Sequence, residues 1–164
     1  MRERQTERQR RGAREFEAFV AGAGGRLLHA ATLLTAEPPE DNERARQLLT
    51  AALARTYARW DPEHGEDPYD RTRQELAARF ARTAWRYHRH RDRAAGVLAR
   101  LTPQERLVLV LRLYEGVAEE QVAALIGLPA ERVRVICTRA IATMRSARAG
   151  PRNPLPRATA EGVS

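Results

Sequence analysis

The most demanding stretch of this chain runs from Gly116 to Arg145, GVAEEQVAALIGLPAERVRVICTRAIATMR, and its spacing predicts a helix-turn-helix. Small Ala123 lets two helices cross closely and Gly127 supplies the turn. Val122, Ile126, Leu128, Val133 and Ile136 fall where such a motif buries apolar side chains. The second helix, roughly Ala130 to Arg145, turns Val133, Cys137, Ala140, Ile141 and Met144 inward by three-and-four spacing. That leaves Glu131, Arg132, Arg134, Val135 and Thr138 facing out, on a surface able to enter a DNA major groove. Arg134 and Thr138, one turn apart, are the candidate base readers, and Arg132 and Arg139 the candidate phosphate contacts. The alternative is a helical hairpin that only packs.

A formal net charge of +8 over 164 residues points to a polyanionic partner, DNA before a membrane surface. No apolar run approaches the roughly 18 residues that span a bilayer, and the N-terminal MRERQTERQRRGAREF has no apolar core of a signal peptide. A cytoplasmic, nucleoid-associated protein is expected. Among Lys and Arg the chain uses only Arg, which reads first as the compositional bias of a GC-rich genome and also supplies planar guanidiniums suited to phosphate and guanine. One cysteine, Cys137, excludes an internal disulfide, and His29, His64, His88 and His90 share no ligand spacing with it, so no metal and no cofactor are expected. Cys137 reads as a small core residue on the inner face of its helix. Nothing places a nucleophile beside a base, and no glycine-rich phosphate loop follows a strand, so no enzyme is expected.

In chain order, residues 1–13 mix Arg, Glu and Gln without an apolar face and read as a flexible basic arm. Two short amphipathic helices follow, one carrying Phe16, Phe19 and Val20, the other Leu27, Leu28, Ala31 and Leu34, with a bend at Gly22, Gly24 and Gly25. Glu37 to Asn42 reads as a loop. Ala45, Leu48, Leu49, Ala52, Leu53, Thr56 and Trp60 then trace one helical stripe. After a polar loop over 61–66, Asp67 and Pro68 start a helix running to about Arg91, with Tyr69, Leu76, Phe80, Ala84 and Tyr87 inside. Arg79, Arg82, Arg86, Arg89 and Arg93 recur on the opposite side as a ridge suited to phosphates. Trp85 flanks that ridge, where it either stacks on an unpaired base or packs against a neighbouring helix. Residues 92–97 read as a linker. Thr102, Pro103 and Glu105 form a capping box opening a well buried helix over Leu107 to Leu111, and 149–164 read as a tail.

Laid out this way, the chain resembles the two-domain, extracytoplasmic-function type of bacterial RNA polymerase sigma factor, particularly the sigma-E-like group of actinobacteria. LARLTPQERLVLVLRLYEGV followed by the helix-turn-helix is similar to sigma region 4, and REFEAFVAGAGGRLLHAATLLT, ALARTYARW and DPYDRTRQELAARFARTAWRYHRHR are similar to region 2. The resemblance implies an all-α fold of two small helical domains, 14–91 and 98–148. It also implies promoter recognition and duplex opening with core RNA polymerase as partner, and admits an anti-sigma protein as a further one. Trp85 sits where that group often carries a tryptophan. By the same resemblance the polymerase-docking segment is Gln47, Leu48, Leu49, Thr50 and Ala51, in place of a stretch like Asp-Leu-Val-Gln-Glu, so both carboxylates are gone. The loop before it is longer than usual, Arg79 stands where the family often has Asn, and Ile136 replaces a residue commonly polar or basic. A sigma-like DNA-binding regulator that no longer engages core polymerase is the competing expectation.

Overall fold

The structure, a computed structural model, describes residues 2–60, 67–89 and 96–149, with side chains over 4–60, 67–84 and 96–148. The expected loop over 61–66, most of the linker and nearly all of the tail lie outside the described residues. Helix α1 spans Arg2–Thr35, α2 Glu43–Ala58, α3 Pro68–Arg89, α4 Pro103–Leu109, α5 Glu119–Ile126 and α6 Ala130–Ala149. A short 3-10 turn at Val97–Arg100 precedes α4, and a π-helical turn at Val110–Tyr114 extends it. Among the described residues there are no strands, and no helix is long and apolar enough to cross a membrane.

Two expectations about the first third are overturned. Residues 2–13 continue α1 rather than forming an arm, and the helix passes through Gly22, Gly24 and Gly25 without the expected bend. Each helical glycine costs only about 1 kcal/mol relative to Ala, and tertiary contacts on either side exceed that. On the C-terminal side Leu27, Ala30, Ala31 and Leu34 are buried. On the N-terminal side Phe16 and Phe19 pack on Trp60, with ring centroids 5.1 and 5.9 Å away, and the Trp60 ring also lies over Gly12. Trp60, which the stripe placed on α2, lies just beyond its end and anchors the early turns of α1.

The loop between α1 and α2 is as expected, and its polar groups are used. The Glu37 carboxylate accepts from the backbone N–H groups of Arg44 and Ala45 at 3.2 and 2.9 Å, capping α2 from a residue six positions before its start. Buried Asn42 donates to Thr32 Oγ1 at 3.1 Å and accepts from Arg46 Nε at 2.9 Å. Helix α2 buries Ala45, Leu48, Leu49, Ala52 and Thr56, and the Thr56 and Thr72 hydroxyls meet at 3.1 Å inside the contact with α3. Asp67 accepts from the Tyr69 N–H at 2.9 Å, and Pro68 opens α3 where it was expected.

In the second half the Thr102–Glu105 capping box forms with both reciprocal bonds, and Leu107 to Leu111 are all buried. One face of α4 carries Leu109 against Ala140, Ile141 and Met144 of α6, covering the back of the helix-turn-helix. The opposite face joins a core that is continuous across both halves. Leu107, Val108, Leu111, Val117 and Val122 pack in one buried cluster with Leu27, Ala30, Leu76 and Phe80. The two helical units are therefore docked face to face, with α3 against α4 and α5.

Candidate nucleic-acid interface

Gly127 adopts φ +69° at the end of α5, a left-handed conformation that glycine takes without the Cβ penalty, and it turns the chain into α6. Val133 and Ala140 are then fully buried, Ile136 is nearly so, and Glu131, Arg132, Arg134, Val135, Thr138 and Arg139 are exposed. The outward face is the one the spacing predicts. Ile136, the departure from a polar family residue, points into the core, so its apolar character serves packing.

The exposed arginines of α6 are not all free. Arg134 donates to Glu119 Oε1 at 2.9 Å and to Glu131 Oε2 at 3.1 Å. The hydrogen bond to Glu119, with the charges of Glu119 and Glu131, holds its guanidinium even more firmly protonated than usual. Such a pair aims the fork without adding much stability at an exposed site. Arg139 sits 3.4 Å from Glu105 Oε1 and thereby ties α6 to the start of α4. Burial raises the Cys137 thiol above its ordinary pKa, only partly offset by Arg112. Alkylation by iodoacetamide near pH ~8, where an ordinary thiol is partly ionised, is accordingly expected to be severalfold slower than in the unfolded chain. Equal rates would place Cys137 outside the packed face.

Of the ridge on α3, Arg79 and Arg82 are exposed, while the side chains of Trp85, Arg86 and Arg89, and all of Arg93, lie outside the described residues. The periodicity of α3 gives no sign of the company these two keep. A groove of about 750 Å³ brings Arg55 of α2 and Arg59, just past its end, together with Arg71, Arg79 and Arg82 of α3, and Leu125 of α5 forms part of its wall. Glu75 is the carboxylate in that lining, paired with Arg59 at 3.4 Å and Arg55 at 4.0 Å. The four-residue spacing of Arg55 and Arg59 was a visible signal, but their meeting with α3 depends on helix packing. The groove keeps a net positive charge, as a phosphate-tracking surface requires.

In the segment likened to a polymerase-docking site, Gln47 and Thr50 are exposed and Ala51 is half-buried. Leu48 is 4 % exposed and belongs to the core, so it is unavailable for docking. Gln47 donates to Glu43 Oε1 at 2.9 Å. Among the described residues no group of three or more His, Cys, Asp or Glu side chains is arranged to hold a metal ion.

A basic helical chain whose second unit is a helix-turn-helix with an exposed recognition helix has the form of a DNA-binding protein of the helix-turn-helix class. The model of sigma-70 region 4 matches residues 97–146, the span of the second unit. The RNA polymerase sigma-E factor of Streptomyces coelicolor is 31% identical over 153 residues, covering 80% of this chain and 84% of the relative. Those of Streptomyces avermitilis and Streptomyces antibioticus are 30% and 29% identical, each covering 80% of this chain and 83% of the relative. No solved structure matches the chain significantly. The chain belongs to the sigma-E-like, extracytoplasmic-function group of RNA polymerase sigma factors, and its function is promoter recognition in transcription initiation.

Proposed function

We propose that the chain divides this work between its two units, 14–91 and 98–148, and supplies no active site of its own. The second unit reads duplex DNA with the outer face of α6, and the first follows the backbone with the arginine groove and melts or holds the adjoining strand. Core RNA polymerase, docking on α2 around Gln47, Thr50 and Ala51, supplies the catalysis. The observation that carries the reading is the exposed face of α6, with Arg134 and Thr138 one turn apart over a fully buried Val133 and Ala140. Stacking of an unpaired base on Trp85 and control by an anti-sigma protein belong to the same proposal and rest on family membership. The setting is the cytoplasmic nucleoid.

Arg134→Ala is expected to relax preference at one or two base positions and to weaken the preferred site by about 1 to 3 kcal/mol, with much less effect on random DNA. Selection from random duplexes with parent and variant reads this directly. Recovery of the same motif by both would remove Arg134 from base reading, leaving it as the partner of Glu119.

The arginine ridge of α3 should behave differently, because phosphate contacts carry no requirement for base identity. Arg82→Ala combined with Arg86→Ala is expected to weaken binding about equally on all sequences. It should also flatten the log-log salt dependence by roughly 0.9 for each duplex phosphate that is no longer neutralised. A slope equal to that of the parent would make the ridge a solvated surface.

A further inference from the structure

The interface between the two units contains a charge that an interface made only for packing would not need. The Glu115 carboxylate is fully buried, 0% exposed, at the end of the π-helical turn. Tyr69 of α3 donates its hydroxyl to both carboxylate oxygens, at 2.8 and 2.9 Å. Arg26 of α1 and Arg73 of α3 bring guanidinium nitrogens to 3.7 and 3.9 Å of Oε2. Arg26 also lies over the Tyr69 ring at 5.2 Å and the Tyr114 ring at 5.9 Å. Every one of these polar partners of Glu115 comes from the first unit. The wide turn is what aims it: the Glu115 N–H closes on the Val110 carbonyl at 2.9 Å, and one extra residue in a turn rotates the facing of the next side chains by about 100°. Gly116, at φ +67°, then releases the chain toward α5.

We propose that Glu115 is a clasp that holds the factor closed, and that the clasp must open before both DNA-facing surfaces can act on one promoter. The inference rests on the reading that each unit binds its own promoter element. In the closed chain α6 packs on α5 and α5 on α3, so the α3 ridge and the recognition helix are separated by two interhelical spacings, roughly 16 to 20 Å. Elements read by separate domains lie more than one DNA turn apart, about 34 to 36 Å. Docked units fall short of that distance, and the linker, whose five or six residues reach at most roughly 20 Å, can supply the missing length only once they separate. Opening strips Glu115 of its partners and exposes the apolar surface of Val117, Leu107 and Leu111 now buried against α1 and α3. Docking on core polymerase is the event able to compensate both, because it supplies a large new surface to each unit. A buried ion pair is weak support for stability but is well suited to selecting between two arrangements.

The test uses the full chain with Cys137→Ala, Ala54→Cys on α2 and Ser146→Cys on α6, labelled for distance measurement. The parent should give one short separation. Glu115→Arg, which sets a cation against Arg26 and Arg73, should lengthen it by at least a helix diameter, about 10 Å, with helical circular dichroism retained. Glu115→Arg combined with Arg73→Glu should restore the short separation. Glu115→Arg should also bind core polymerase about tenfold more tightly if only about a tenth of the free parent is open. Should Glu115→Arg lose helicity, Tyr69→Phe removes a single hydroxyl, and a mixed population of short and long separations is the supporting result. An unchanged separation in whichever of these variants stays helical overturns the clasp. A longer separation with no gain in core binding overturns its inhibitory role. Failure of parent and variants alike to bind core polymerase defeats the proposed division of labour, while the distances still decide the clasp.

Discussion

Gln47→Asp combined with Ala51→Glu is expected to tighten binding to core RNA polymerase by about a hundredfold. Charged pairs across an interface fix register, and a missing partner of a desolvated pair costs about 2 to 5 kcal/mol, partly by stranding the opposite charge. A change near 3 kcal/mol exceeds a hundredfold in affinity. Gln47 is exposed and Ala51 half-buried on α2, and neither substitution replaces the core residues Leu48 and Ala52. Local effects nearly cancel. Asp at position 47 would face Glu43, now the acceptor of the Gln47 amide, and a like-charge pair four apart on a helix costs roughly 0.2 to 0.5 kcal/mol. Glu at position 51 would stand four residues before Arg55, a favourable arrangement of similar size. A large gain in affinity therefore reports on the polymerase and not on α2. The acidic loop before α2, Glu37 to Glu43, offers other carboxylates in place of the two lost, but Glu37 is committed to capping the helix. Glu40, Asp41 and Glu43 remain exposed. Titration of labelled core enzyme, followed by run-off transcription, measures the outcome. Tight binding and robust initiation by the parent, with no gain from the two carboxylates, would show that this factor docks by other contacts.

Phe80→Ala should lower the unfolding free energy by about 3 to 5 kcal/mol, a large share of the roughly 5 to 15 kcal/mol typical of a domain. Phe80 is fully buried on α3 in the cluster formed with α1, α2 and the second unit. Truncation would leave a cavity in the cluster that also holds Leu27, Leu76 and Val108, whose backbones are fixed in three helices and cannot readily collapse. Arg79→Ala, at the neighbouring exposed position, is the control and should fall within about 0.5 kcal/mol of the parent. Denaturant unfolding followed by circular dichroism compares them, and a loss below about 1 kcal/mol for Phe80→Ala would mean that the shared core is looser than its burial indicates.

Local rules were enough for the helices that carry a strong period and for their caps. The outward face of α6, the buried run Leu107 to Leu111, the Thr102–Glu105 box and the Pro68 start of α3 are all legible in the chain from side-chain spacing, capping chemistry and the fixed φ of proline. Those rules failed where distant residues supply the energy. Glycine propensity argued for a bend at Gly22 to Gly25, yet α1 is continuous because Leu27, Leu34, Phe16 and Trp60 pack along its length. The same limit hid the arginine groove, whose members come from two helices, and placed Leu48 in a docking surface when it belongs to the core. The clasp lay furthest out of reach. Glu115 reads as an ordinary polar residue before a glycine, and its burial depends on a π-helical turn that no period announces and on partners 42 to 89 positions away in the chain, Arg73, Tyr69 and Arg26. A buried charge is tolerable only where the fold brings its partners to it, so it is long-range packing, and no local pattern, that makes the two units meet at Glu115.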